Sequence, residues 1–267
     1  MSDILKKIIN YKKEEIKIYK NKNSESELFE KIKNTKNFIN FKDKINLINS
    51  KKKISIIAEI KKASPSAGLL VKDFDPIKIA KIYIENGASF LSVLTEEKFF
   101  QGKFEYIENI KKNFHVPILC KDFFIDTFQV TMAKSYGADC ILIILSAVDK
   151  ILAKDLYQAT KDLNISTLIE VHSESEAEFA LSFEDAIIGI NNRNLKTLEI
   201  SLDTSVKLSK ILNCHKNSLV SESGINSSED IKFIIQKAGI RNFLIGESLL
   251  KSENIAMKLK QFTQITV

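Results

Sequence analysis

The sequence predicts an α/β fold: a single (β/α)8 barrel, the TIM barrel, with extra N-terminal helices. Three observations predict it. Eight short apolar runs begin near residues 54, 90, 117, 140, 167, 186, 219 and 243, and each is followed by a helical stretch. The runs are continuously apolar rather than alternating, which marks parallel strands buried on both faces. Polar residues gather at one end of these runs, where the strands of an enzyme barrel meet their following loops. An open doubly wound sheet is the alternative. It usually carries a Gly-rich turn after its first strand, and here only Gly68 follows. We expect a helical cap over residues 1–53 and the barrel, the catalytic domain, over 54–267.

In the cap, Ile4, Ile8 and Ile9 fall at helical spacing, as do Ile16 and Tyr19. Asn21 to Ser26 is a polar break. A second helix is expected over Glu27–Asn34 and a third over Phe38–Ile48, where Phe38, Phe41, Ile45 and Ile48 share a face. The first strand, Ile54–Ile60, is rich in β-branched Ile. Asp75-Pro76 starts a helix, Asp as N-cap and Pro in the first position, and Asn86-Gly87 ends it. Strand Phe90–Leu94, helix Phe104–Lys112 and strand Pro117–Cys120 follow. Asp126 opens a helix that stops at Tyr136-Gly137, before strand Cys140–Leu145. Helix Asp149–Leu163 leads to strand Thr167–Val171, and Ser173 caps a short helix reaching Ser182. Strand Ala186–Ile190, helix Asp203–Leu212, strand Leu219–Ser221 and helix Ser228–Ala238 come next. Strand Phe243–Ile245 and helix Asn254–Phe262 close the chain.

A hydrophobic content of 44% is ample for a core, and no run approaches 18 uncharged apolar residues. The N-terminus lacks the apolar core and small-residue cleavage site of a secretory signal. Cys120, Cys140 and Cys214 lie far apart and form neither a metal spacing nor a disulfide framework. A reduced, cytoplasmic setting is expected. The net charge of +6 is an N-terminal property: residues 1–53 hold 15 Lys against 7 Asp/Glu, and the rest 25 Lys/Arg against 27 Asp/Glu. Only Arg193 and Arg241 are arginines. Nucleic-acid readers favour Arg for bidentate contacts, so the lysines read as a solvated helical surface. No nucleic-acid or membrane partner is expected.

The strand ends carry the chemistry. Glu59 and Lys61 are two apart and share one face at the end of an oily strand, and burying charge is costly unless it is paired. Lys121 and Asp122 end the third strand, Glu170 the fifth, Asn191, Asn192 and Arg193 the sixth, Glu222 and Ser223 the seventh, Gly246 and Glu247 the eighth. Mixed charges converging in a partly dry pocket shift one another's pKa values and suit acid–base work. Gly224 and Gly246, after strands seven and eight, let backbone N–H groups approach a phosphate. His172 follows Glu170 by two residues; its plain reading is a loop side chain. No His, Cys and carboxylate set has metal spacing.

Ile57-Ala58-Glu59-Ile60-Lys61-Lys62-Ala63-Ser64-Pro65-Ser66 resembles the signature of the indole-3-glycerol phosphate synthase family of tryptophan biosynthesis. So do Leu94-Thr95-Glu96-Glu97-Lys98-Phe99-Phe100-Gln101-Gly102, Lys121-Asp122-Phe123, Gly189-Ile190-Asn191-Asn192-Arg193-Asn194-Leu195, Ser221-Glu222-Ser223-Gly224-Ile225 and Leu244-Ile245-Gly246-Glu247-Ser248-Leu249. The first is highly specific; the last two recur in other phosphate-binding barrels. The resemblance implies ring closure of 1-(2-carboxyphenylamino)-1-deoxyribulose 5-phosphate with loss of CO2 and H2O, and neither metal nor organic cofactor. It implies catalytic roles for Glu59, Lys61, Lys121, Glu170, Asn191 and Glu222, with Lys121 as general acid on the ketone. It implies substrate or phosphate contacts from Lys61, Ser64, Phe99, Phe100, Arg193, Ser223, Gly224, Gly246 and Glu247. It implies a monomer, with other tryptophan-pathway enzymes as candidate partners. A sugar-phosphate isomerase and a non-catalytic barrel that binds through its Lys-rich helices are the rival readings.

Overall fold

The computed structural model describes residues 3–35, 37–195 and 197–265. Met1, Ser2 and Lys36 of the expected cap, and Lys196, Thr266 and Val267 of the expected barrel segment, lie outside the described residues. Eight strands form a closed, all-parallel barrel: β1 (Ser55–Ile60), β2 (Phe90–Leu94), β3 (Ile118–Lys121), β4 (Cys140–Ile144), β5 (Ser166–Val171), β6 (Ile187–Asn191), β7 (Leu219–Glu222) and β8 (Asn242–Ile245). Each strand pairs with its sequence neighbours, and β8 closes on β1 with Ser55 opposite Asn242. The strands are buried almost throughout, as their unbroken apolar runs require.

Three helices precede the barrel: α1 (Asp3–Lys22), α2 (Glu25–Asn34) and α3 (Phe41–Ser50). The expected break at Asn21–Ser26 narrows to Asn23 and Ser24. Ser24 is the N-cap of α2, accepting from the Glu27 N–H while the Glu27 carboxylate accepts from the Ser24 N–H, so the polar residues after it form the first helical turn. Helix α3 starts three residues later than its periodicity suggests, because Asn40 caps it through the Asp43 N–H. Phe38 stays outside and lies beneath the Lys134 ammonium, 3.7 Å from Nζ to the ring centroid.

Around the barrel run α4 (Pro76–Glu85), α5 (Phe104–Asn113), α6 (Thr127–Ser135), α7 (Lys150–Asp162), α8 (Glu174–Ala180), α9 (Asp203–Ile211), α10 (Ser228–Ala238), α11 (Glu247–Leu250) and α12 (Ile255–Thr263). Asp75, Asp126, Asp149 and Ser173 cap their helices through backbone N–H groups, as the sequence leads one to expect. A small antiparallel hairpin, Ala63–Ser64 with Gly68–Leu69, follows β1 where composition indicated only a loop. Its turn is set by Ser64 Oγ, which accepts from the Ala67 N–H, and by Gly68 at φ +66°.

The N-terminal helices reach both ends of the barrel. At the strand starts, Phe41 and Ile45 of α3 are 0% exposed and enter the interior cluster with Ile57, Phe90, Leu168 and Val220. The Phe41 and Phe90 rings sit 4.4 Å apart, and Asn46 Oδ1 accepts from the Ser218 N–H and hydroxyl just before β7. At the strand ends, α1 crosses the mouth. Its Leu5 and Ile9 join the same cluster, while Lys12, 1% exposed, pairs with Asp122 at 2.8 Å and also with Glu15. Tyr19 donates to Glu97 at 2.7 Å, and Lys20 pairs with Asp126 at 2.7 Å. The cap therefore shares the barrel's core.

Truncating the plug tests this. Phe41→Ala is expected to destabilise the fold by about 3–5 kcal/mol, the usual cost of emptying a buried aromatic site. The shift of the urea midpoint at constant slope measures it; a shift near zero would show that α3 is an appendage.

Candidate active site

The last residues of the strands, rather than loose loops, carry the site. β3 runs one residue beyond its expected end to Lys121, β6 to Asn191 and β7 to Glu222, because a neighbouring strand continues the ladder: Leu94 lies opposite Lys121, Asn191 opposite Glu222, and Leu244 opposite Glu222 on its other side. Backbone pairing, on one side for Lys121 and Asn191 and on both for Glu222, fixes these side chains more tightly than a loop would.

They face one cavity of about 690 Å³ at the strand ends, beneath α1. Lys121 Nζ stands 2.9 Å from Glu170 Oε2 and 2.9 Å from Glu222 Oε2, with all three side chains nearly buried. Asn191 Nδ2 donates to Glu170 Oε1 at 3.2 Å. Lys61 Nζ donates to Glu59 Oε1 at 2.5 Å. Glu59 lies close enough to Lys121 to add to its negative surroundings.

Burial works against charge on Lys121, but Glu170, Glu222 and Glu59 outweigh it and hold the ammonium well above its ordinary pKa. For Glu170 burial would favour the neutral acid; Lys121 and His172 overcome it and keep the carboxylate ionised far below its usual range. Glu222 goes the other way. Burial and the neighbouring Glu170 charge push it up to about 7 in spite of Lys121. Two carboxylates on one ammonium thus divide into a fixed anion and a group that titrates near neutrality.

Two glycines make the room. A Cβ on Gly189 would stand 2.1 Å from Glu222 Oε1 and 2.7 Å from Leu168 Cδ2, and one on Gly246 would stand 2.4 Å from Glu59 Oε1. Gly246 therefore makes room for the Glu59 carboxylate. Ser223 at φ +65° and Gly224 at φ +83° form a left-handed pair after β7. Asn192 fixes this corner, donating to Ser221 Oγ and Ser223 O at 3.0 Å each, while its Oδ1 accepts from the Ser205 N–H and hydroxyl. A non-glycine residue in this conformation carries strain, which is met at functional turns.

Of the residues singled out in the sequence, Glu59, Lys61, Ser64, Phe100, Lys121, Glu170, Asn191, Arg193, Glu222, Ser223, Gly224, Gly246 and Glu247 all line the cavity. Phe99 does not. It meets the Tyr11 ring edge-on at 6.2 Å and backs α1 instead. Arg193 reaches Glu247 at 3.5 Å, and Glu247 also holds Lys251 at 2.6 Å. The apolar wall joins Ile4, Leu5 and Ile8 of α1 to Phe123, Leu142 and Leu195. The α1 contribution was not foreseen, although its Ile spacing was. Nor was the contact of His172 with Glu170, 3.2 Å from Nε2 to Oε1, for which the two-residue spacing along one strand was the available signal. Cys120 is buried in the helix-facing core, its thiol pushed up by burial. Among the described residues no group of three His, Cys, Asp or Glu is placed to hold a metal ion, and no helix is long and apolar enough to cross a membrane.

A model of the family described as indole-3-glycerol phosphate synthase matches residues 5–262. The chain is 44% identical over 199 residues to the indole-3-glycerol phosphate synthase of Legionella pneumophila strain Paris, covering 74% of this chain and 76% of that one. It is 41% identical over 261 residues to the protein of the same name from Polaromonas naphthalenivorans strain CJ2, covering 98% of each. Among solved structures, 3-hexulose-6-phosphate synthase from Salmonella typhimurium superposes with a TM-score of 0.64 at 12% identity over 79% of this chain and 97% of that one, a likeness of fold.

Gly189→Ala tests the close approach. Overpacking against Glu222 and Leu168 is expected to cost about 1–3 kcal/mol in urea unfolding, from forced side-chain shifts, and a crystal structure of the variant should show Glu222 drawn away from Lys121. Wild-type stability with Glu222 in place would contradict it.

Proposed function

This chain belongs to the indole-3-glycerol phosphate synthase family, and from that premise we propose how its cavity works. The activity is that of a carbon–carbon lyase of tryptophan biosynthesis: 1-(2-carboxyphenylamino)-1-deoxyribulose 5-phosphate closes its pyrrole ring and loses CO2 and H2O. The observation that carries the mechanistic reading is the Lys121 ammonium held between Glu170 and Glu222 at the cavity floor, with a second lysine, Lys61, paired to Glu59 in the same cavity.

The substrate must fold back so that its aromatic ring reaches its own ketone, and orientation supplies much of such a rate. Phe100, Phe123, Leu142 and the α1 residues Leu5 and Ile8 offer the ring an apolar slot. At the other end, Ser64, Arg193, Ser223, Gly224 and Gly246 supply donors and open backbone for the phosphate, with Glu247 restraining Arg193. Lys121 is the general acid. It protonates the ketone oxygen as the ring carbon bearing the carboxylate attacks, and breaking the bond to CO2 restores aromaticity. Lys61, released from Glu59, binds the substrate carboxylate and assists the later loss of water. Glu170, oriented by Asn191, is the acid–base group of that step, and ionised Glu222 keeps Lys121 aimed at the ketone. Phe99 acts from behind, through its contact with Tyr11 on α1. Because α1 of the same chain closes the cavity, a monomer holds a complete site, and other enzymes of the pathway remain its candidate partners.

Turnover of the carboxyphenylamino substrate, followed by indole fluorescence, tests the reading. Wild type should form product, and Lys121→Ala should lose about a hundredfold or more in kcat, the range expected for a general acid. No product from folded wild type would remove the assignment; product at the wild-type rate in Lys121→Ala would keep the reaction and remove the role. A second test is pH. Since Glu222 is pushed up to about 7, it takes up a proton as pH falls through neutrality, and kcat should decline on that side. Glu222→Gln should flatten this limb at a lower rate; an unchanged limb would assign it elsewhere.

A further inference from the structure

His172 lies one residue past β5 and two past Glu170, so the two side chains leave the same face of the strand. Its side chain is 10% exposed, with Nε2 3.2 Å from Glu170 Oε1 and Nδ1 3.4 Å from Glu176 Oε2 on α8. The His172 backbone N–H donates to the same Glu176 oxygen at 2.7 Å. Neither ring nitrogen has an aligned hydrogen-bond partner among the described residues, so the two contacts are close approaches to carboxylate oxygens that become ion pairs when the ring is protonated. A neutral imidazole carries one N–H and would turn a lone pair toward one of the two carboxylates; the imidazolium alone suits both.

The charged groups around the ring are Glu170 on its own strand and Glu176 on α8. One carboxylate further in are Lys121 on β3 and, beyond it, Glu222 on β7. Glu170 thereby divides its oxygens: Oε1 meets His172 and Asn191, and Oε2 meets Lys121.

We propose that His172 is a positioning residue for the reaction: a buried imidazolium, anchored by Glu176, that fixes the Glu170 carboxylate with Oε2 on Lys121. Burial opposes the charge, but Glu170 and Glu176 outweigh it and raise the ring to about 9, so it stays protonated at neutral pH. The proposal rests on the role given above to Glu170, and it extends the site outward to α8, which otherwise contributes nothing to the cavity walls.

The test combines an NMR titration with kinetics. The chain has three histidines, so the imidazole signals of His172 can be assigned by their loss in His172→Gln. The His172 ring should titrate well above the ordinary histidine range in wild type and fall by about one unit or more in Glu170→Gln and in Glu176→Gln, as removing a close charge does. This readout needs no turnover. If wild type made no product, the functional reading would fall while the titration still decided the state of His172. In turnover, His172→Gln should lower kcat about tenfold with KM within about twofold of wild type, the pattern of a lost transition-state positioning effect. Glu176→Gln should give a smaller loss in the same direction, and it keeps the inference testable if His172→Gln fails to fold. A His172 that titrates in the ordinary range, or a folded His172→Gln with wild-type kcat, overturns the proposal.

Discussion

An ammonium group cannot sit at the floor of a dry barrel mouth unless negative charge surrounds it, and Lys121 meets that requirement with carboxylates from two other strands. Much of the site follows from this constraint. Glu170 and Glu222 must converge on one nitrogen, so β5 and β7 must present their ends at the level of β3. Glu222 needs the vacancy left by Gly189, and Glu59 the vacancy left by Gly246. Glu170, holding Lys121 with one oxygen, is held on the other by Asn191 and His172. Removing the ammonium would leave like charges facing one another in a low-dielectric space, which is why the assembly stands as a unit.

A second buried lysine closes the mouth. Lys12 of α1 reaches Asp122, the residue after Lys121, and Asp122 also accepts from the Thr95 hydroxyl at 2.7 Å. The helix that supplies the apolar wall is thus pinned beside the residue it covers. At the far end Phe41 and Ile45 fill the barrel, so one N-terminal segment stoppers the bottom and roofs the top. Rigid strand ends and a helical roof divide the work: the strands fix the charges and the roof supplies apolar wall above them.

Much of this was legible in the sequence because parallel strands buried on both faces announce themselves as apolar runs and helix starts as Asp, Ser and Asn caps. β2 fell where its apolar run placed it, and α10 between Ser228 and Ala238. The misses have causes. The expected strands stop one residue early, at Cys120, Ile190 and Ser221, yet Lys121, Asn191 and Glu222 belong to the ladder because a neighbouring strand pairs with each. Phe38 shared a helical spacing but met a capping Asn two residues on. Phe99 and Phe100 are equivalent in composition; only the loop's path decides that one faces the cavity and the other Tyr11. His172 had the right spacing to Glu170, and Glu176 stands four residues on in the helix that Ser173 caps, but spacing alone does not show that the ring lies between the two carboxylates.

The most direct test is a carboxyl carbon-13 NMR titration of Glu170 and Glu222 in wild type and in Lys121→Met, with signals assigned from the Gln variants. The account predicts that in wild type Glu170 stays ionised through the acid range while Glu222 takes up its proton near neutrality, and that loss of the ammonium moves both upward. Two carboxylates that titrate in the ordinary glutamate range and do not respond to Lys121→Met would contradict it.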